Sequence, residues 1–195
     1  MKTTKRDSAA AKRILATASD LFYRNGYRAT GINEIIEKSG VAKATFYAHF
    51  PSKDSLAFAY VKSMNEEDGR AFETYLKKFP GPYEKLLGLF DFALSWFQER
   101  DYRGCRYLNI ASEITDASNP VRVESRNHYT AYREVIGRLV KELKAERSET
   151  WKGKDAEKLA DDLLLIFAGA MAMAPLYRDP KPFRDAIASA KRLLG

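Results

Sequence analysis

Cysteine, histidine and long apolar runs are all scarce in this chain, and each scarcity closes off a class of protein. Cys105 is the one cysteine among 195 residues, and no C-x-x-C occurs. A disulfide-stapled secreted fold and a thiolate zinc cluster are therefore excluded. The two histidines, His49 and His128, stand far apart without helical metal-ligand spacing, so neither a metal nor any other cofactor is expected. The longest apolar run, Leu163 to Leu176, follows Asp161-Asp162 and contains Pro175. It falls short of the roughly 20 residues that span a bilayer and reads as a buried helix. The basic start, Met1 to Asp7, leads into an alanine-rich amphipathic stretch rather than an apolar signal core. The expected compartment is the cytoplasm. There is also no phosphate-cradling glycine loop, no nucleophile elbow and no recognisable pair of catalytic carboxylates, so no enzyme is expected.

What is present is enough apolar material for a core, 45% of residues, and an uneven positive charge, +7 overall. Residues 1–55 hold ten Lys/Arg against five acids, while the remainder is nearly balanced. A small basic head on a near-neutral body suits a module that meets a polyanion. No sustained period-2 alternation appears, and the Pro and Gly residues fall between segments of helical period. The expected fold is all-α, with about nine helices.

The first helix is expected over Ser8–Asn25, capped by Ser8 and ended by Gly26 in a left-handed conformation. Two short helices follow, about Asn33–Lys38 and Lys43–His49. Ser52 caps a long fourth helix from Lys53 that reaches as far as Phe79 before Pro80-Gly81-Pro82. Further helices are expected over Tyr83–Glu99, Tyr107–Thr115, Asn119 to about Leu143, Asp155–Tyr177 and Pro182–Leu194. Lys144 to Lys154 reads as a loop. A domain boundary is placed between residues 52 and 53.

The two short helices flank Ser39-Gly40-Val41-Ala42, which is helix-turn-helix spacing, with Gly40 supplying the positive φ of the turn. Such a unit offers the start of its second helix to a major groove of DNA. Lys43 can reach a guanine edge or a phosphate. Ala44 and Thr45 can lie against a thymine methyl, and Phe46 and Phe50 form the apolar underside.

The text around this unit runs Gly26-Tyr27-Arg28-Ala29-Thr30-Gly31-Ile32-Asn33-Glu34-Ile35, then Ser39-Gly40-Val41-Ala42-Lys43-Ala44-Thr45-Phe46-Tyr47-Ala48-His49-Phe50-Pro51-Ser52-Lys53. Over roughly residues 8–60 it closely resembles the TetR/AcrR family of bacterial transcriptional regulators. The resemblance implies an all-α homodimer that binds DNA, and the chain is accordingly expected to be a repressor of a near-palindromic double-stranded operator, released by a small hydrophobic or aromatic effector. Each subunit would have a three-helix head (1–52) and a larger effector-binding and dimerisation domain (53–195). It further implies that Thr30, Tyr47, His49 and Lys53 contact phosphates and that Lys43, Ala44 and Thr45 read the groove. Ala42 departs from the family, in which a capping serine is common there.

In the body, aromatic residues at helical spacing read chiefly as core. Cys105, Asn109 and Glu113 share one helix face and, with Trp96 and Tyr129, are candidates for the wall of an effector pocket. Cys105, beside Arg103 and Arg106, is also open to a redox or electrophile-sensing reading, against that of an inert buried thiol. The apolar eighth helix needs cover on more sides than the last helix provides. Phe167, Ala170, Met171, Ala174 and Ile187 are therefore candidate dimer-interface residues, the alternative being a helix central to the subunit core. Two readings from other classes remain open from the residues alone. One is a small helical enzyme acting on a hydrophobic substrate; the other is an adaptor that uses the apolar last helices.

Overall fold

The computed structural model describes the backbone from Lys5 to Gly195 and side chains from Ala9 onward. The described residues form nine α-helices and no strand: α1 (Lys5–Asn25), α2 (Ile32–Ser39), α3 (Lys43–His49), α4 (Lys53–Leu76), α5 (Pro82–Glu99), α6 (Arg106–Glu113), α7 (Pro120–Glu146), α8 (Ala156–Tyr177) and α9 (Lys181–Leu194). The all-α expectation holds. Helix ends differ by a few residues: α4 stops at Leu76 and α7 runs on through Lys144 to Glu146. Ser8 is already inside α1, and its side chain, with residues 1–4, lies outside the described residues.

Local chemistry sets most of these ends. Gly26 and Gly40 take φ of 93° and 64°, the left-handed values that glycine adopts without a Cβ clash. Ser52 and Ser55 cap α4 reciprocally, each hydroxyl accepting the other's backbone N–H at 3.0 Å. Asp155 accepts the N–H groups of Glu157 and Lys158 at the start of α8. Ala42, by contrast, provides no side-chain cap to α3.

The helices assemble into two compact units. One runs through Glu67 and includes Arg106–Arg126; the other comprises Asp68–Cys105 and Asn127–Gly195. The boundary expected at residue 52 is thus displaced. The first half of α4 stays with the head, where Leu56, Ala57, Tyr60 and Val61 are buried and Tyr60 packs on Phe22. So does α6, which contacts α1.

In the first unit Ile14, Ala18, Leu21, Phe22, Ile35 and Phe46 make a closed core. In the second, α9 packs against both α5 and α8. Phe97 of α5 sets its ring edge-on to Phe183 of α9 at 5.2 Å, and Phe90 does the same to Phe167 of α8 at 5.5 Å. Arg147 closes the chain end, donating to the carbonyls of Leu194 and Gly195 at 2.9 Å each while its guanidinium lies over the Tyr83 ring.

α8 is long and apolar enough to cross a membrane by composition, but its residues divide into two stripes. Leu163, Phe167, Ala170, Met171 and Ala174 face the unit's own core, while Leu165, Gly169, Ala172, Met173 and Leu176 face outward. The second stripe follows the same helical spacing as the first, on the opposite side.

Phe97 is wholly buried between Trp96 and Phe183. Truncation of such a ring leaves a cavity that neighbouring helices cannot fill, so Phe97→Ala is expected to destabilise the protein by about 3–5 kcal/mol. A fall in the urea midpoint with native helicity at zero denaturant checks this; an unchanged midpoint refutes the packing described.

Candidate nucleic-acid interface

A seven-residue helix such as α3 is too short to be stable alone and takes its place from what it packs on. Phe46 is fully buried and meets the rings of Tyr47 at 5.3 Å and Phe50 at 6.4 Å. With that anchor inward, Lys43, Ala44, Tyr47 and Ala48 are left exposed together, Tyr47 at 42%. Thr45 and His49 are half-buried at the margins, the His49 ring leaning on Phe50. The exposed face therefore carries a cation at the helix start, two small side chains and a phenol.

Thr30 lies elsewhere. It has 0% exposure, and its hydroxyl donates to the Gly26 carbonyl at 2.7 Å, with the Leu21 carbonyl at 3.3 Å. A side chain enclosed in this way cannot touch a phosphate, so the expected contact role is corrected to a brace within the α1–α2 turn. Lys53 is also partly turned inward. Its ammonium sits 4.4 Å from the centre of the Tyr27 ring and donates to the Arg28 carbonyl at 3.3 Å. Burial lowers the Lys53 pKa, against the opposing pull of Glu113 and Asp54. The Tyr27 hydroxyl donates to Asp54. Burial first, then that bond, raises the Tyr27 pKa above its ordinary value, so it remains a donor at neutral pH.

The candidate pocket residues separate. The Tyr129 hydroxyl donates to the Cys105 sulfur at 3.4 Å, and its pKa is raised by burial and by Cys105. Trp96, in the same unit, is half-buried beneath the Arg100 guanidinium at 4.4 Å. Asn109 is exposed on α6, which belongs to the other unit. Glu113 does not face a pocket with them. Its two carboxylate oxygens accept the backbone N–H of Tyr27 at 2.9 Å and of Arg28 at 2.6 Å. Sequence spacing put it on the Cys105 face of a helix, but only the fold reveals a pair of backbone donors within its reach.

The interface candidates need a similar correction. Phe167, Ala170, Met171 and Ala174 are buried within their own unit, Phe167 against Phe90 and Tyr132; only Ile187 is part-exposed. The large apolar side chains that α8 leaves in solvent are Leu165 at 70%, Leu176 at 75%, Met173 and Tyr177. Beside them an open groove of about 770 Å³ runs between α8 and α9, lined in part by Ile166, Met173, Tyr177 and Lys181.

Comparison with known proteins places both parts of the chain. Residues 14–60 match the model described as bacterial regulatory proteins, tetR family, and residues 82–190 match the tetracyclin repressor-like C-terminal domain. The chain belongs to the TetR family of bacterial transcriptional regulators. This TetR-family protein is 22% identical to the HTH-type transcriptional repressor NemR of Escherichia coli (strain K12) over 183 residues, 93% of this chain and 92% of the relative. It is 26% identical to the HTH-type transcriptional regulator LmrA of Bacillus subtilis (strain 168) over 155 residues, 78% and 81% of the two chains. Among solved structures, a TetR-family transcriptional regulator from Streptomyces coelicolor superposes with a TM-score of 0.84 at 24% identity, covering 96% of this chain and 95% of that one. A TetR transcriptional regulator from Chloroflexus aurantiacus gives 0.81 at 27% identity, covering 98% and 95%. The regulator is thus a DNA-binding transcription factor and not an enzyme.

The brace role of Thr30 is testable apart from DNA. Thr30→Val leaves the Gly26 carbonyl without its buried donor, which costs about 1–3 kcal/mol. A lowered melting temperature with an unchanged salt dependence of DNA binding is expected. A weaker salt dependence at unchanged melting temperature would return Thr30 to the phosphate contacts.

Proposed function

We propose that the protein is a homodimeric repressor. Its two α3 helices enter successive major grooves of a near-palindromic operator, and a small hydrophobic or aromatic effector releases it. The observation that carries this reading is the exposed face of α3, where Lys43, Ala44 and Tyr47 stand clear of the core that Phe46 anchors. A cation at the groove-facing end suits a guanine edge or a phosphate, Ala44 and Thr45 suit a thymine methyl, and Tyr47 and His49 suit the flanking phosphates. The start of α2, where Gly31 has no side chain to cap the helix, suits a phosphate oxygen. Lys53 can serve the same backbone from the start of α4. Affinity would rest largely on such contacts and fall steeply with salt.

Dimerisation is assigned to the outward stripe of α8 and the groove beside α9. Leu165, Met173, Leu176 and Tyr177 together form an apolar surface of the kind that monomers seldom leave open, and a two-fold axis lets one such stripe cover another. The effector is assigned to the body, with Trp96, Cys105 and Tyr129 as its candidate contacts. Effector binding would act through differential affinity for two arrangements of the paired heads. The working compartment is the cytoplasm, where the operator is.

Gel shifts against DNA flanking the protein's own coding region, repeated at two salt concentrations, test the reading. Lys43→Ala and Tyr47→Ala are each expected to weaken specific binding more than tenfold with helicity and assembly state intact. Equal affinity for scrambled duplexes would remove the operator claim. Leu165→Lys combined with Leu176→Lys is expected to give a monomer in sedimentation; an unchanged mass would move the interface elsewhere. A thermal-shift screen of small aromatic and aliphatic compounds addresses the effector.

A further inference from the structure

The helix-turn-helix is a loop of chain whose two entrances lie close together. It is entered through the turn after α1 and left through the start of α4, and these two points are joined. The Arg28 carbonyl accepts from Lys53, and the Tyr27 hydroxyl donates to Asp54. A third element, α6, holds that junction from outside. Glu113, the last residue of α6, accepts the Tyr27 and Arg28 N–H groups with separate carboxylate oxygens. The Arg28 backbone is thus held on both sides, its N–H by Glu113 and its carbonyl by Lys53.

Gly26 reports how closely the carboxylate approaches. A Cβ at that position would stand 2.9 Å from a Glu113 oxygen, on a backbone whose φ of 93° already disfavours any other residue. α6 is itself pinned at this end, because Arg122 donates to the carbonyls of Ala111 at 3.2 Å and Ile114 at 2.6 Å. The carboxylate is therefore a fixed point and not a loose surface acid.

We propose that Glu113 is a positioning residue for DNA binding: by holding the Tyr27 and Arg28 amides from α6, it sets the angle at which α2 and α3 are presented. The inference rests on the reading of α3 as the groove-facing helix. It makes an expectation opposite in sign to simple electrostatics. Removing a negative charge from a basic head raises its attraction for a polyanion. Removing a positioning carboxylate lowers affinity in spite of that gain.

The probe is a duplex of about 30 base pairs recovered by the wild-type protein from a randomised pool, titrated across salt concentrations with the full chain. Glu113→Ala is expected to raise Kd about tenfold, with faster hydrogen exchange at the Tyr27 and Arg28 amides and unchanged exchange along α1. Glu113→Gln, which keeps the volume and one acceptor, is expected to fall between Glu113→Ala and wild type. It is the deciding variant if the alanine variant does not fold. The cost of Glu113→Ala is expected to shrink in a Lys53→Ala background, because both act on the same Arg28 backbone. Affinity equal to or tighter than wild type in both Glu113 variants overturns the proposal, as does a loss confined to melting temperature. Lys43→Ala on the same duplex separates the two claims. If Lys43→Ala loses binding while the Glu113 variants do not, the positioning role is wrong and the reading of α3 stands. If Lys43→Ala binds as wild type does, the reading of α3 fails and the positioning role with it.

Discussion

A helix of seven residues makes too few internal hydrogen bonds to offset the entropy of forming it, so α3 exists where it does because Phe46 is buried. That single apolar anchor divides the short helix into an inward side and an outward side. Everything assigned to the outward side depends on it: without the Phe46 seat, Lys43, Ala44 and Tyr47 would have no common direction. The same burial explains why the missing side-chain cap at Ala42 is tolerated, since tertiary packing supplies what the local sequence omits.

Beside the apolar core of the head, the turn after α1 is held by polar contacts on its carbonyls and amides. Thr30 braces the turn from within, Lys53 from the start of α4 and Glu113 from α6. Each is a short-range bond to a backbone group that water would otherwise solvate, so each holds a particular geometry as well as adding stability. The donors and acceptors of this turn are met from several directions at once.

In α8 the two faces use the same amino acids for different ends. Phe167 and Ala174 fill the core of their own unit, while Leu165 and Leu176 remain in solvent. Hydrophobicity alone cannot distinguish them, because both stripes are apolar and both follow the helical period. Cys105 and Glu113 make a comparable contrast. They lie two turns apart in sequence, yet one meets Tyr129 and the other meets the turn after α1.

Periodicity, capping residues and glycine positions were enough to read nine helices, the turn at Gly40, the exposed start of α3 and the family resemblance of the head. These are local properties, carried by spacing along a few turns of chain. Long-range partners were not legible. Thr30 reads as a surface hydroxyl until the Gly26 and Leu21 carbonyls close over it, and Glu113 reads as a pocket acid until Tyr27, 86 residues away, presents its amide. The one-dimensional pattern determined which segments are helical and which faces are apolar. Only tertiary packing decided which polar group meets which and which apolar face stays open, because those contacts arise from residues that the chain itself does not bring together.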